Sequence, residues 1–361
     1  MRKKYLLLLG GSVVAVLLAE GILRLLPVEF SEQRLVRDGV LGWKNRPNWR
    51  CERFSINSRG FIGEEFAPRK QPGVTRIFCL GDSCVAGDYL ARYADSFPCQ
   101  LAAALERTQE TGAAAKGSPP KRFEVINAAV GGYSSDQGLR WLRGEIVRYQ
   151  PDFVTVSFGW NDHWLARVGG SDKQVSGSAT ERARAALSSS KLFQLVLKAY
   201  QSCRRKRNMP HLEQVEPASV VVPANVRVPP EDFRTNLAEI VDTVRAIGAE
   251  AILMTTPNYL ELAPSGKRRE LAAVFGSWET AEKLVQLHDR YNQLVKEVAA
   301  ARRAPLVDGT ELFRAREDVV SLFERPPGDF VHPSPAGFQI LAEAVARTIR
   351  ANAGKHGASP P

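Results

Sequence analysis

The chain has 361 residues, 44% hydrophobic and 24% charged, with a formal net charge of +10. That balance excludes wholesale disorder, which needs low hydrophobicity and high net charge, and five cysteines in so long a chain exclude a disulfide-built scaffold. The basic surplus is scattered apart from Arg2-Lys3-Lys4 and Arg204-Arg205-Lys206-Arg207 and no zinc-finger, helix-turn-helix or RNA-binding signature accompanies it, so no nucleic-acid partner is expected.

The first element is an apolar run from Tyr5 to Ala19, preceded by Arg2-Lys3-Lys4 and extended by Gly21-Ile22-Leu23 beyond the single acid Glu20. A basic flank followed by an apolar stretch of about 20 residues is the pattern of a signal anchor or signal peptide. Residues 1–27 are therefore expected to form an N-terminal membrane helix with the rest of the chain outside the cytoplasm. Ala19-Glu20-Gly21 offers a cleavage site that would release a secreted protein instead. In that compartment Cys51, Cys79, Cys84, Cys99 and Cys203 could form at most two bridges, with Cys79 read as a small core residue. Residues 28–73 read as a polar lead-in spotted with Trp43, Trp49 and Phe61.

From residue 74 to 350, short apolar runs alternate with amphipathic stretches. Strands are predicted over 75–80, 123–128, 152–158, 249–255 and 304–307. Helices are predicted over 96–109, 138–147, 230–248, 281–301 and 335–350, the last opened by Ser334 as N-cap and Pro335 in its first turn. Such alternation predicts an α/β fold with a parallel sheet between two helical layers, whose site lies at the carboxyl ends of the strands. Residues 165–230 break the alternation with a Ser-rich, basic stretch and a Val-Pro-rich one. They are read as an insertion over the active face, with Leu192, Phe193, Leu195 and Val196 as a candidate apolar lid. Residues 351–361 read as a disordered tail.

Four strand-end turns carry chemistry. The first is Gly81-Asp82-Ser83, which projects a serine hydroxyl at the sheet edge. The second, Asn127 to Ser135, contains Gly132, whose backbone N–H can face an incoming oxygen. The third, Gly159-Trp160-Asn161-Asp162, offers a side-chain amide to the same space. The fourth, Asp329-Phe330-Val331-His332, sets a carboxylate three residues before a histidine, a spacing that can orient the imidazole and fix its tautomer. Asp82 and Asp162 are read as turn-stabilising side chains, and His163 as a pocket wall.

In this order the four blocks resemble the SGNH hydrolases, also called the GDSL family, over roughly residues 74–350. Two departures are Cys84 directly after the serine and the long insertion. The resemblance implies a flavodoxin-like three-layer sandwich with a five-stranded parallel sheet and acyl-ester chemistry with neither metal nor cofactor. It implies Ser83 as nucleophile, His332 as general base and then acid, and Asp329 as its orienting carboxylate. The oxyanion hole would be the N–H groups of Ser83 and Gly132 and the amide of Asn161. The function expected is a membrane-anchored, extracytoplasmic esterase or deacetylase whose partner is an acyl ester, glycan- or lipid-linked. Two alternatives stand beside it: an O-acyltransferase acting on an exported polysaccharide, and an inactive binding module.

Overall fold

In the computed structural model the described residues are 2–25, 33–111, 122–164, 171–175, 177–196, 199, 226–263, 278–325 and 329–352. The chain divides into two compact units, residues 1–46 with 176–216, and residues 47–175 with 217–361.

The first unit opens with helix α1 (Arg2–Leu25), followed by an antiparallel hairpin of β1 (Leu35–Asp38) and β2 (Gly42–Asn45). Asp38 closes the hairpin by accepting the N–H groups of Val40 and Leu41, both at 2.9 Å. Among the described residues no helix is long and apolar enough to cross a membrane, so the membrane helix expected over residues 1–27 is not supported. The polar last turns of α1 give a physical reason. The Glu20 carboxylate accepts the Ser190 hydroxyl at 2.8 Å and the N–H groups of Lys191 and Leu192 at 3.1 and 2.9 Å. Arg24 binds the same carboxylate. This end of α1 is thus tied to polar backbone of its own unit, which also contains a helix at 179–188 and a helical turn at 191–196.

The second unit is built on β3 (Val74–Gly81), β4 (Arg122–Asn127), β5 (Phe153–Ser157), β6 (Glu250–Met254) and β7 (Leu306–Val307). All pairings are parallel, in the order β4-β3-β5-β6-β7. The central strands read as unbroken apolar runs because both their faces are covered: Ile77, Phe78, Cys79 and Leu80 are all fully buried. The chain leaves β3 for β4 on one side, then crosses back to pair β5 on the other. That reversal opens a crevice at the carboxyl ends of β3 and β5.

Helix α2 (Ser83–Ala86) directly follows β3. Helix α3 (Phe97–Thr111) packs against the last long helix, Pro335–Asn352, to form one layer. The other layer joins α4 (Ser135–Gly144), a helix at Pro230–Ala246 and one at Trp278–Arg302. The five-stranded α/β fold agrees with the sequence reading. Helix α4 begins three residues earlier than predicted, because Ser134 and Gln137 form a reciprocal capping box at its start.

The lead-in contributes more than its polarity suggests. Phe54, Ile56, Phe61 and Ile62 are buried, and the Ile62 N–H donates to the Asn127 carbonyl at the edge of β4. Arg76, 1% exposed, holds the same stretch by donating to the carbonyls of Ala67 and Pro68 while it pairs with Glu124. Of the insertion at 165–230, residues 171–175, 177–196, 199 and 226–230 are described. Leu192, Phe193, Leu195 and Val196 fall within the helical turn of the first unit. Cys203, the basic cluster at 204–207 and the tail beyond 352 lie outside the described residues.

Candidate active site

Ser83 is held where β3 ends. The preceding Gly81 has no room for a side chain: a Cβ there would sit 2.4 Å from Val85 Cγ2 and 2.8 Å from the Ser157 carbonyl oxygen. The strand end can therefore lie close against β5 only with glycine at this position. Asp82 caps α2 by accepting the Cys84 N–H at 2.8 Å.

His332 and Asp329 arrive on a separate antiparallel hairpin, Phe323–Arg325 with Asp329–Pro333. His332 Nε2 lies 2.9 Å from Ser83 Oγ, and His332 Nδ1 lies 2.7 Å from Asp329 Oδ2. A carboxylate only accepts, so Nδ1 carries the proton and Nε2 presents its lone pair to the hydroxyl. The other oxygen of Asp329 accepts the N–H groups of Val331 and His332 at 3.1 and 3.0 Å. Burial raises the Asp329 pKa, but the bonds from His332 and Val331 outweigh it and hold the group below the usual carboxylate value. The Tyr89 ring packs 4.5 Å from the imidazole, and its hydroxyl donates to the Pro333 carbonyl at 2.7 Å. This aromatic support carried no signal in the sequence.

Asn161 lies past the end of β5, and its Nδ2 donates to Asp82 Oδ2 at 2.8 Å. Asp82 thus binds both the turn of Ser83 and the amide of Asn161. It is fully buried, and desolvation raises its pKa against the opposing bonds from Cys84 and Asn161. Gly132 sits in the turn after β4, at φ +79°, a conformation glycine adopts without strain. That turn is laced to β3 by the Val130 N–H, which donates to the Gly81 carbonyl at 3.1 Å. The N–H groups of Ser83 and Gly132 have no acceptor among the described residues. Asn161 commits one of its two amide hydrogens to Asp82.

Asp162 and His163 anchor the Asn161 turn from beneath. Asp162 accepts the Ser135 N–H and hydroxyl at 2.8 and 2.6 Å and the Gly159 N–H at 3.0 Å, and burial pushes its pKa up to about 7. His163 is not the pocket wall expected from sequence. It is 3% exposed, and its Nε2 lies 2.9 Å from Nδ1 of His288. His288 Nε2 faces the Thr256 carbonyl at 2.7 Å and so must donate, which makes His288 Nδ1 an acceptor and His163 Nε2 its donor. Burial lowers both histidines, His288 to about 4, so the pair is neutral at pH 7. Among the described residues no group of three or more His, Cys, Asp or Glu is placed to hold a metal ion.

The arrangement joins a hydroxyl to a base with a fixed tautomer, an orienting carboxylate, and three N–H donors at adjoining strand ends. Such a set can attack an acyl carbon and stabilise the oxyanion that follows.

A model of the GDSL-like lipase/acylhydrolase family matches residues 79–340. No curated protein matches the sequence. Among solved structures, a lipase/acylhydrolase from Enterococcus faecalis is similar at 20% identity, covering 80% of this chain and 100% of its own, with a TM-score of 0.44. An acetylxylan esterase from Geobacillus stearothermophilus is similar at 18% identity, covering 76% and 94%, also with a TM-score of 0.44. With the family model spanning the whole stretch from Ser83 to His332, the chain belongs to the GDSL-like lipase/acylhydrolase family and is a serine hydrolase acting on ester bonds.

Proposed function

We propose that the protein is an esterase or deacetylase that works through Ser83, His332 and Asp329. Ser83 Oγ attacks the acyl carbon while its proton passes to His332 Nε2. The carbonyl oxygen becomes the oxyanion, held by the N–H groups of Ser83 and Gly132 and by Asn161 Nδ2. Collapse expels the alcohol, which takes the proton from His332. A water then attacks the acyl-enzyme, giving its proton to the same nitrogen, and the acid departs as Ser83 recovers its hydrogen. Asp329 holds the imidazole and offsets its charge when protonated.

The observation that carries this reading is the continuous path from the Ser83 hydroxyl through His332 to Asp329, at 2.9 and 2.7 Å. The Arg2-Lys3-Lys4 flank ahead of an apolar run matches an export signal and supports an extracytoplasmic acyl ester as substrate; fractionation of cells expressing the full chain tests that part separately. For the chemistry, the full chain is treated with a fluorophosphonate probe. The expected result is one covalent label on Ser83, lost in Ser83→Ala; a folded wild-type protein that takes no label would overturn the reading.

A further inference from the structure

Residues 226–228, described at the end of the insertion, fasten together two turns of the site. The Arg227 side chain is 11% exposed. Its Nη1 donates to the Gly132 carbonyl at 2.8 Å, and its Nη2 to Gln137 Oε1 and Asp172 Oδ2, both at 2.7 Å. Nε also reaches Asp172 Oδ2, at 3.1 Å. Asp172 is held in turn: its Oδ2 accepts the Ser134 hydroxyl at 2.7 Å, and its N–H donates to the Arg227 carbonyl at 2.7 Å. The backbone of the same dipeptide grips the other turn. The Arg227 N–H donates to the Trp164 carbonyl and the Val228 N–H to the Asp162 carbonyl, both at 2.9 Å.

We propose that Arg227 is a positioning residue for ester hydrolysis, fixing the Gly132 N–H relative to the Asn161 amide. The inference rests on the reading of those groups as the oxyanion hole and says what sets their geometry. A glycine turn has no Cβ to restrain it; the peptide plane after Gly132 is held at one edge by the Tyr133 N–H, which donates to the Val130 carbonyl at 3.1 Å, and at the other by Arg227. Here a planar guanidinium holds the Gly132 carbonyl through Nη1 while Nε and Nη2 are spent on Asp172 and Gln137. The backbone on either side of its Cα is bonded to the Asn161 turn. Lysine cannot reproduce this, because a single ammonium does not span three acceptors in one plane. A donor displaced by about 1 Å can cost about 10²-fold in rate.

The test uses the full chain and the variants Arg227→Lys, Arg227→Gln and Asp172→Asn. Three quantities are measured: kcat and KM on p-nitrophenyl acetate, the inhibition constant of phenylboronic acid, and the melting temperature. Phenylboronic acid becomes tetrahedral when the Ser83 oxygen adds to boron and its proton passes to His332; both boron hydroxyls remain, and one of them occupies the hole. The expected result is a fall in kcat of about 10- to 100-fold in Arg227→Lys, with KM little changed and boronate binding weakened by a similar factor. A folded Arg227→Lys with wild-type kcat overturns the proposal, as does a fall in kcat with boronate binding unchanged. If Arg227→Gln does not fold, Arg227→Lys and Asp172→Asn decide. Failure of the underlying reading looks different: there, Ser83→Ala leaves turnover unaltered.

Discussion

Replacing Asn161 by alanine removes two things that the structure joins in one amide. The first is the oxyanion donor of the proposed mechanism, whose loss costs typically about 10²–10³ in kcat, or about 2.7–4 kcal/mol. The second is the bond to Asp82 Oδ2 at 2.8 Å. Asp82 is fully buried and its other oxygen already serves Cys84, so the variant leaves a buried carboxylate oxygen short of a donor. A hydrogen bond to a charged group contributes about 1.5–3 kcal/mol. In a domain this large each kcal/mol moves the melting temperature by roughly 2–4 °C, so a fall of about 3–12 °C is expected. The deficit should depend on pH. Burial raises the Asp82 pKa above 3.8, so its contribution to stability is fully present below 3.8 and is lost as pH rises through the folded value. Losing the amide raises that value further, and the melting deficit should therefore be smaller in acid than at neutrality. Asp82→Asn separates the two roles. The new amide would face the Asn161 amide donor to donor, and relief requires Asn161 to turn its oxygen toward residue 82, which swings its N–H groups away from the reacting carbonyl. Ester turnover and thermal melts on both variants check this. Asn161→Ala with kcat within about three-fold of wild type would refute the oxyanion role, even if its melting temperature fell as expected.

The remaining predictions concern the triad, the strand end and the buried acids and bases. Ser83→Ala and His332→Ala should fall to similar background rates, whereas Asp329→Ala should retain about two orders of magnitude more turnover, measured with the same ester. Equal loss in all three would keep the site and refute this ranking of roles. Gly81→Ala should cost about 3 kcal/mol or more in a denaturant melt, because the added Cβ meets Val85 and the backbone oxygen of Ser157, which cannot move aside. The His163–His288 pair and Asp162 should give opposite pH dependences of stability. The histidines are depressed below 6.5, so their contribution is present above 6.5 and lost as pH falls through about 4. Asp162 is raised from 3.8 to about 7, so its contribution is present below 3.8 and lost as pH rises through about 7. Relative to wild type, His288→Gln should therefore tilt the melting curve toward greater stability in acid, and Asp162→Asn toward greater stability at neutral pH. Parallel curves for all three proteins between pH 4 and 7 would refute the assignment of either group.

What was legible in the sequence was local. The central strands β3, β5 and β6 announced themselves as short apolar runs, since burial on both faces leaves no alternation to confuse with a surface strand. Ser83, Asn161, Asp329 and His332 stood out only as a set: each is weak alone beside its strand end or turn, and the order of the four blocks is what resembles the family. What joins them was not legible, because no periodicity reports a contact between distant segments. Asn161 and Asp82 are 79 residues apart, Arg227 and Gly132 are 95 apart, and His163 and His288 are 125 apart. Asp82 and Asp162 were read as turn stabilisers. Each does bind its own turn, through Cys84 and Gly159, but each also reaches across to a second element, Asn161 for one and Ser135 for the other. The membrane helix expected over residues 1–27 missed contacts of the same kind: Ser190, Lys191 and Leu192 surround the Glu20 carboxylate from about 170 residues away.

The long-range contacts also explain why small, flexible residues can serve at a site that needs fixed donors. An asparagine amide has two hydrogens in one plane, and committing the first to a buried carboxylate leaves the second a single direction. Asp82 does this for Asn161 and directly precedes Ser83, the proposed nucleophile, so the amide and Ser83 share one anchor. The Gly132 carbonyl is held by Arg227, whose charge is matched by Asp172. Asp162, pushed up to about 7 by burial, changes charge near neutrality, and it holds the Gly159 N–H at the entry to the Asn161 turn. Donors held in this way need no reorientation when charge develops on the substrate oxygen, and that preorganisation is where such sites gain most over water. It follows that substitutions behind the proposed oxyanion hole, at Asp82, Asp162 and Arg227, should lower kcat more than they raise KM, although none of their side chains is placed to touch the ester.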